Sequence, residues 1–336
     1  MKRTRRPELK TLLYQLMELF LTLFVLSVLV FWMSRLAPGD PLVSYYGSGV
    51  ERMSSAEKIE ARDRLGLNEP VAVQYGIWGK AALKGDLGLS YKYKVPVTDI
   101  ISQRIPNSLY LGGFGYLLIF LSALPLGALC ALKEGKTMDR LITRFGVITG
   151  SIPVFWISLV LILFFSVFLG VLPASGASPP GGKASLLQRV PYLILPLSAL
   201  LMSHLWYFGY LARNLYLEEM GKDYMLMHRI KGMKRGEILL RHGTRNILPA
   251  YLVLMINSIP HVLGATYIIE EVFSFPGLGT LAFESAKYHD YNLLMVITLI
   301  TGAVVLLLNM FADTLVVIVQ PKKEDERRTH GRRRAL

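Results

Sequence analysis

Histidine is the residue type in this sequence with the widest capacity for chemistry, and its spacing restricts what that chemistry can be. The six histidines stand at 204, 228, 242, 261, 289 and 330, with no two of them three or four residues apart. That interval is what puts two ligands on one helix face in an HExxH-type metal site. The single cysteine, Cys130, permits neither an intrachain disulfide nor a thiolate cluster. A nucleotide-hydrolysing loop needs glycines whose backbone cradles the phosphates and a lysine that reaches them. Gly135-Lys136-Thr137 has the right ending but places Cys130 where the first glycine belongs, and Gly182-Lys183 has Ala177 at that position and Ala184 after the lysine. HExxH-type metal catalysis and ATP hydrolysis therefore each lack their residues. His204 and His261 lie inside apolar stretches. They could line a polar pathway, since polar groups at membrane depth face protein or water; a hydrogen-bonded packing role is the commoner one.

Those stretches dominate the sequence. Of 336 residues 52% are hydrophobic, yet the formal charge is +13 and the mean hydropathy is +0.41. A soluble domain would not average so apolar, and nucleic-acid binding would explain the charge alone. Six stretches are long enough to cross a bilayer: Leu12 to Ser34, Ser108 to Leu132, Phe145 to Gly170, Val190 to Ala212, Ile247 to Ile269 and Tyr291 to Ile318. Pro125, Pro153, Pro196, Pro249 and Pro260 read as kinks or span ends. Lys and Arg concentrate in alternate connections, with five in 1–11, four in 133–144, eight in 213–246 and seven in 321–336. By the positive-inside rule both termini are cytoplasmic, which an even number of spans requires. The expected fold is thus an all-α polytopic membrane protein. It divides into a cytoplasmic segment 1–11, a first span 12–36, an external polar module 37–105, a five-helix core 106–320 and a basic cytoplasmic tail 321–336.

In the external module SSAEKIEAR reads as a helix start with Ser54 or Ser55 as N-cap and Glu57 in the first turn. A second helix is expected over Val71 to Leu83, and VLPASGASPPGG (171–182) reads as a loop outside the membrane. In the cytoplasmic segment 213–246, Leu217, Met220, Tyr224, Met227 and Ile230 recur at intervals of three and four, one face of a helix, before Gly232 interrupts. Such a helix, tied to spans at both ends, is built either to pass force from a partner or to lie on lipid headgroups.

DYMLMHRIKGM (223–233) followed by LLRHGTRNILP (239–249) resembles the cytoplasmic signature of bacterial ABC importer permeases, the EAA loop. The similarity is greatest to the oligopeptide, dipeptide and nickel permease family, in the subunit with a large first external loop. LAPGDP (36–41), LGLNEPVAVQY (65–75), KGDLGLSY (84–91), RIPNSL (104–109), SIPVFW (151–156), VLPASG (171–176) and EEVFSFPGLG (270–279) occur in that family's order. His228, Arg229 and Ile230 stand where the family has small residues.

The resemblance implies the ABC importer permease fold, with 213–246 carrying a coupling helix that docks on a cytoplasmic ATPase. Carried over by position, Asp223, Tyr224, His228, Arg229, Lys231, Gly232 and Met233 form that element. Asp86, Phe273, Phe275, Pro276 and Gly277 become an external gate or the docking surface for a binding protein. The implied partners are a second homologous permease subunit, two ABC ATPase subunits that use ATP and magnesium, an extracytoplasmic substrate-binding protein and membrane lipid. No nucleic acid is implied, and this chain itself would bind no cofactor and act as no enzyme. The implied location is the bacterial inner membrane, and the implied cargo di- or oligopeptides, with nickel or a metal chelate as the runner-up. A secondary transporter would show functional charges in mid-span or paired broken helices, and neither stands out.

Overall fold

Uncharged stretches of some twenty residues become long helices, because a backbone in lipid must satisfy its hydrogen bonds within its own segment. The computed structural model describes residues 9–36, 40–179, 181 and 185–319. The basic residues 1–8 and the tail 321–336, which weigh in the orientation, lie outside the described residues, as do 37–39, 180 and the Gly182-Lys183 pair. In chain order the helices are α1 (Leu9–Leu36), α2 (Pro41–Tyr46), α3 (Ser55–Arg64), α4 (Val71–Ala82), α5 (Val97–Ser108), α6 (Phe114–Leu132), α7 (Thr137–Ser151) and α8 (Val154–Leu161). They continue with α9 (Leu186–Met220), α10 (Asp223–Ile230), α11 (Arg235–Glu237), α12 (Thr244–Val272), α13 (Leu278–Lys287) and α14 (Tyr291–Val319). Wide π turns over Leu109–Gly113, Ile162–Phe168 and Ile238–Gly243 join α5 to α6, extend α8 and lead into α12.

Five helical segments are long and apolar enough to span a membrane: Leu13–Leu36, Val97–Leu132, Leu186–Met220, Arg235–Val272 and Tyr291–Ala312. The expected third span, Phe145 to Gly170, is bent at Pro153, one of the prolines read as kinks or span ends. It is two segments, Thr137–Ser151 and Val154–Phe168, bent by 99° at Pro153, and the pair counts as a sixth span only if taken together. Proline has no N–H to donate and forces the residue before it out of helical conformation. Ile152 is accordingly extended, at φ −89° and ψ 126°. Pro125, Pro196, Pro249 and Pro260 remain inside α6, α9 and α12.

The chain divides into two compact units. Among the described residues one comprises 9–13, 109–275 and 307–319, and its core joins α6, α8, α9 and α12 through residues such as Ile119, Ile157, Leu200, Phe208 and Tyr251. Within it α6 and α9 approach backbone to backbone at Gly127. A Cβ there would sit 2.6 Å from Ala212 Cβ and 2.7 Å from the Arg213 nitrogen. Because backbone cannot swing aside, Gly127→Ala should cost about 1–3 kcal/mol by overpacking. Thermal unfolding of the solubilised protein measures this. Gly113→Ala, where the same methyl meets open space, serves as the near-neutral control.

The second unit comprises 14–108 and 276–306, so the external segment folds together with α1, α13 and the first half of α14. Ser54 caps α3 and Glu57 closes a capping box, as the sequence indicates. Val97, Ile100, Leu281, Leu293 and Ile297 form a core between α5, α13 and α14. The buried Asp290 carboxylate accepts hydrogen bonds from Ser90 Oγ and from the Lys92 backbone N–H (3.1 Å), holding the 84–96 segment against the start of α14. Beside it Lys92 Nζ lies 2.8 Å from Glu284, which also accepts from the Tyr93 hydroxyl.

Burial opposes ionisation of Glu284, but the hydrogen bonds from Lys92 and Tyr93 and the charges of Lys92 and Arg104 hold its carboxyl below the ordinary value. Burial opposes the charge on Lys92 too, and Glu284 and Tyr93 hold its ammonium above its ordinary value. The stabilisation from Glu284 is complete above its unfolded-state pKa and is lost as pH falls through the depressed folded value. The part from Lys92 is lost only as pH rises through its raised value. Glu284→Gln should therefore flatten the acid limb of a Tm-against-pH profile below about pH 4, and an unchanged limb would contradict the pairing.

Candidate functional site

The segment 213–246 is not one continuous amphipathic helix. α9 ends at Met220, Lys222 is extended at φ −76° and ψ 145°, and α10 begins anew at Asp223. The five-residue face therefore divides, with Leu217 and Met220 on α9 and Tyr224, Met227 and Ile230 on α10. An acid in the first turn, Asp223, and the bases His228 and Arg229 in the last complement the α10 dipole. At the far end Gly232 adopts φ 82°. Its N–H donates to Arg229 O (2.9 Å), and the Met233 N–H donates to His228 O (3.2 Å). This is a Schellman stop, with Lys231 as the cap and Met233 packed back on the core. A side chain at Gly232 would meet no neighbour, so the requirement is conformational, worth about 1–2 kcal/mol against any L-residue.

Only Met225 of α10 is buried; it packs into a cluster with Tyr216, Met220, Ile238, Leu239 and Ile247. Tyr224, Leu226, Met227 and Ile230 are exposed by 43%, 54%, 58% and 78%. The helix thus buries one side chain and turns a row of apolar ones outward. Its base is tied by polar groups that the sequence pattern does not single out. Buried Glu219 accepts from Lys222 Nζ and from Asn246 Nδ2 (2.9 Å), and the latter also donates to the Tyr224 hydroxyl at 3.2 Å. Arg235 donates to Glu134 (2.8 Å) and to Ala131 O (3.2 Å), anchoring α11 to the end of α6. A cleft of about 350 Å³ between these anchors is lined by Glu134, Met220, Lys222, Asp223, Arg229 and Arg235 among others.

Two histidine pairs form that no sequence interval announces. His228 of α10 stacks on His242 of the following π turn, with centroids 4.1 Å apart and 19° between planes. His204 of α9 and His261 of α12 have ring centroids 5.3 Å apart. His204 is buried, its Nδ1 2.6 Å from Ser203 Oγ and 3.1 Å from Leu200 O, the surroundings of a hydrogen-bonded packing histidine. His261 is exposed on the α12 row that includes Asn257, Gly264 and Ile268. Among the described residues no group of three or more His, Cys, Asp or Glu could hold a metal ion.

The external set divides between buried and exposed positions. Phe273 and Phe275 are 1% and 2% exposed and belong to the apolar core. Phe273 O accepts from the Gly176 N–H (2.9 Å), and the Phe275 N–H donates to Glu270 O at 2.7 Å. They anchor a corner and present no exposed surface in this structure. Gly277 is buried and extended ahead of α13, and Pro276 O accepts from Asn107. Asp86 is exposed and accepts from the Gly88 N–H, which fixes a turn. Arg213 is bound in a bidentate pair to buried Asp139, at 2.6 and 2.8 Å.

Residues 123–325 match the pattern of the family described as "Binding-protein-dependent transport system inner membrane component". The chain belongs to that family. The permease shares 33% identity over 300 residues with the oligopeptide transport system permease protein AppB of Bacillus subtilis, covering 89% of this chain and 94% of AppB. It shares 31% with the oligopeptide transport system permease protein OppB of Haemophilus influenzae, over 94% of this chain and 99% of that one. With the metal-staphylopine import system permease protein CntB of Staphylococcus aureus it shares 27%, over 93% and 97%. Its fold is that of a chain of the inward-facing MetNI methionine ABC transporter, at a TM-score of 0.54 and 16% identity over 66% of this permease and 98% of that chain. The protein is a multi-pass membrane component of an ABC importer.

Proposed function

We propose that this permease subunit imports di- or oligopeptides delivered by an extracytoplasmic binding protein, and that α10 is where two cytoplasmic ATPases drive it. The outward row of Tyr224, Met227 and Ile230 supports the coupling role. Apolar side chains that the chain leaves uncovered, on a helix stopped by Gly232 and anchored to α9 and α12, suit a groove in a partner. Asp223, His228, Arg229, Lys231 and Met233 set the ends and flanks of that helix. Nucleotide-dependent movement of the ATPases would shift α10, and through Glu219 and Asn246 the ends of α9 and α12. Transport follows if nucleotide favours one state over the other.

A second permease subunit would complete the pathway, with the α12 row through Asn257 and His261 facing it. In this reading the chain hydrolyses nothing and binds no cofactor; ATP and magnesium belong to the partner ATPases. The peptide assignment rests on the AppB and OppB relatives, and the CntB relative keeps a metal chelate as the second reading. The test is uptake in a strain deleted for this chain and complemented with it. Labelled oligopeptide import should return, and unlabelled peptide, not nickel chelate, should compete. The purified chain should bind no ATP alone and should co-purify an ATPase; nucleotide binding by the isolated chain would overturn the division of labour.

A further inference from the structure

Helix α4, VAVQYGIWGKAA, carries one charge in twelve residues and has no buried residue; Val73 and Ile77 are 44% and 59% exposed. The side of α4 that carries Val73, Gly76 and Ile77 is apolar and uncovered, which is unfavourable in water and satisfied in lipid. Its position agrees. The Tyr75 hydroxyl is 2.7 Å from Ser27 Oγ on α1, and the Tyr75 ring meets Phe24 and Phe31 edge-on. Ser27 lies nine residues inside the outer end of α1, about 14 Å at 1.5 Å per residue, near the middle of a hydrocarbon core of about 30 Å. Part of the segment read as an external polar module is thus sunk into the outer leaflet beside the first span.

Between α1, α4 and α14 it leaves an apolar groove of about 590 Å³, lined by Phe24, Tyr75, Trp78 and Leu299 among others. Gly76 and Gly79, one turn apart on α4, give it room, since a Cβ built on either meets nothing within 4 Å. Two groups on its lining call for an anionic, ester-bearing molecule. The Trp78 indole N–H is buried without an acceptor, a cost a ligand carbonyl would remove. Lys80 is exposed and has no ion-pair partner among the described residues. The groove is also continuous with the lipid-facing row of α1, where Phe20, Phe24 and Trp32 stand exposed. We propose that it holds an acyl chain of a membrane phospholipid, with the ester carbonyl at Trp78 and the phosphate at Lys80.

The test uses the full-length permease in nanodiscs of phosphatidylglycerol with brominated acyl chains. Trp32, Trp156 and Trp206 are replaced by Phe so that Trp78 alone reports, and a protein retaining only Trp32 stands for ordinary surrounding lipid. Quenching of Trp78 should persist on dilution into unbrominated detergent while that of Trp32 is lost. Gly79→Leu should abolish the persistent fraction, and Lys80→Gln should reduce it more in phosphatidylglycerol than in phosphatidylcholine. Native mass spectrometry of the protein with all four tryptophans should show one retained phospholipid, missing after Gly79→Leu; this keeps the test open if the Trp variants fail to fold. Quenching of Trp78 by aqueous iodide, equal loss from Trp78 and Trp32, or a cysteine cross-link from the groove to a second permease subunit would each overturn the proposal.

Discussion

Met227→Glu combined with Ile230→Glu is expected to abolish substrate uptake while leaving the permease folded and inserted. Both side chains are more than half exposed, so the chain's own stability should change by no more than about 0.5 kcal/mol, the usual range for surface substitutions. Buried in a partner's groove, each new carboxylate would lose an apolar contact and arrive without a counter-charge. Losses of that kind at an interface centre run to about 2 kcal/mol or more per residue, which is about thirtyfold or more in affinity. Uptake and ATPase co-purification should therefore fall together. Met225→Glu is the contrasting case. Met225 is fully buried against Tyr216 and Ile238, so this substitution should lower the melting temperature of the isolated chain itself. An exposed-face variant that loses stability as Met225→Glu does would mean that α10 is merely structural.

The second large effect is expected at Asp139→Ala. Asp139, at the start of α7, accepts two hydrogen bonds from Arg213 of α9 and one from the Gly135 N–H at 2.9 Å. Its side chain is 4% exposed and that of Arg213 17%. Truncating the acid leaves the guanidinium unpaired among low-dielectric surroundings, which costs about 3–5 kcal/mol. The double variant Asp139→Ala, Arg213→Leu removes the orphaned charge and should recover most of that loss, since the two residues act as a pair. Thermal unfolding of the three variants in detergent checks the order: wild type highest, double variant next, Asp139→Ala lowest. A double variant less stable than Asp139→Ala would contradict the pairing energetics.

What the sequence discloses and what it conceals follow from the range of each interaction. Local codes are legible. The Ser54 and Glu57 capping box, the Gly232 stop and the uncharged runs that become α1, α6, α9, α12 and α14 depend on residues a few positions apart. The bend after Ile152 was visible as Pro153, but whether a proline kinks a membrane helix or ends it depends on neighbours that its own segment does not specify. Asp139 and Arg213 are 74 positions apart, and His204 and His261 57, so no spacing rule connects them. EEVFSFPGLG is a recognisable motif, yet a buried corner and a docking loop are equally recognisable, and only the burial of Phe273 and Phe275 separates them. The apolar row has the expected register but divides between α9 and α10. The break falls at Gly221 and the extended Lys222, and the contact from Asn246 to Glu219 beside it joins residues 27 positions apart, beyond any helical period.

The most direct test of coupling through α10 is cysteine cross-linking to the ATPase subunit. Cys130 is the sole cysteine of the chain and is buried, so a Cys130→Ala background can carry Ile230→Cys on the exposed face and Met225→Cys on the sealed one. In native membranes with the whole transporter assembled, Ile230→Cys should cross-link to a cysteine placed in the ATPase groove, at a yield that changes on adding ATP, while Met225→Cys should not react. Cross-linking of Ile230→Cys to lipid-directed reagents alone, with no ATPase adduct in any nucleotide state, would show that the helix lies on the membrane surface and does not transmit the ATPase stroke.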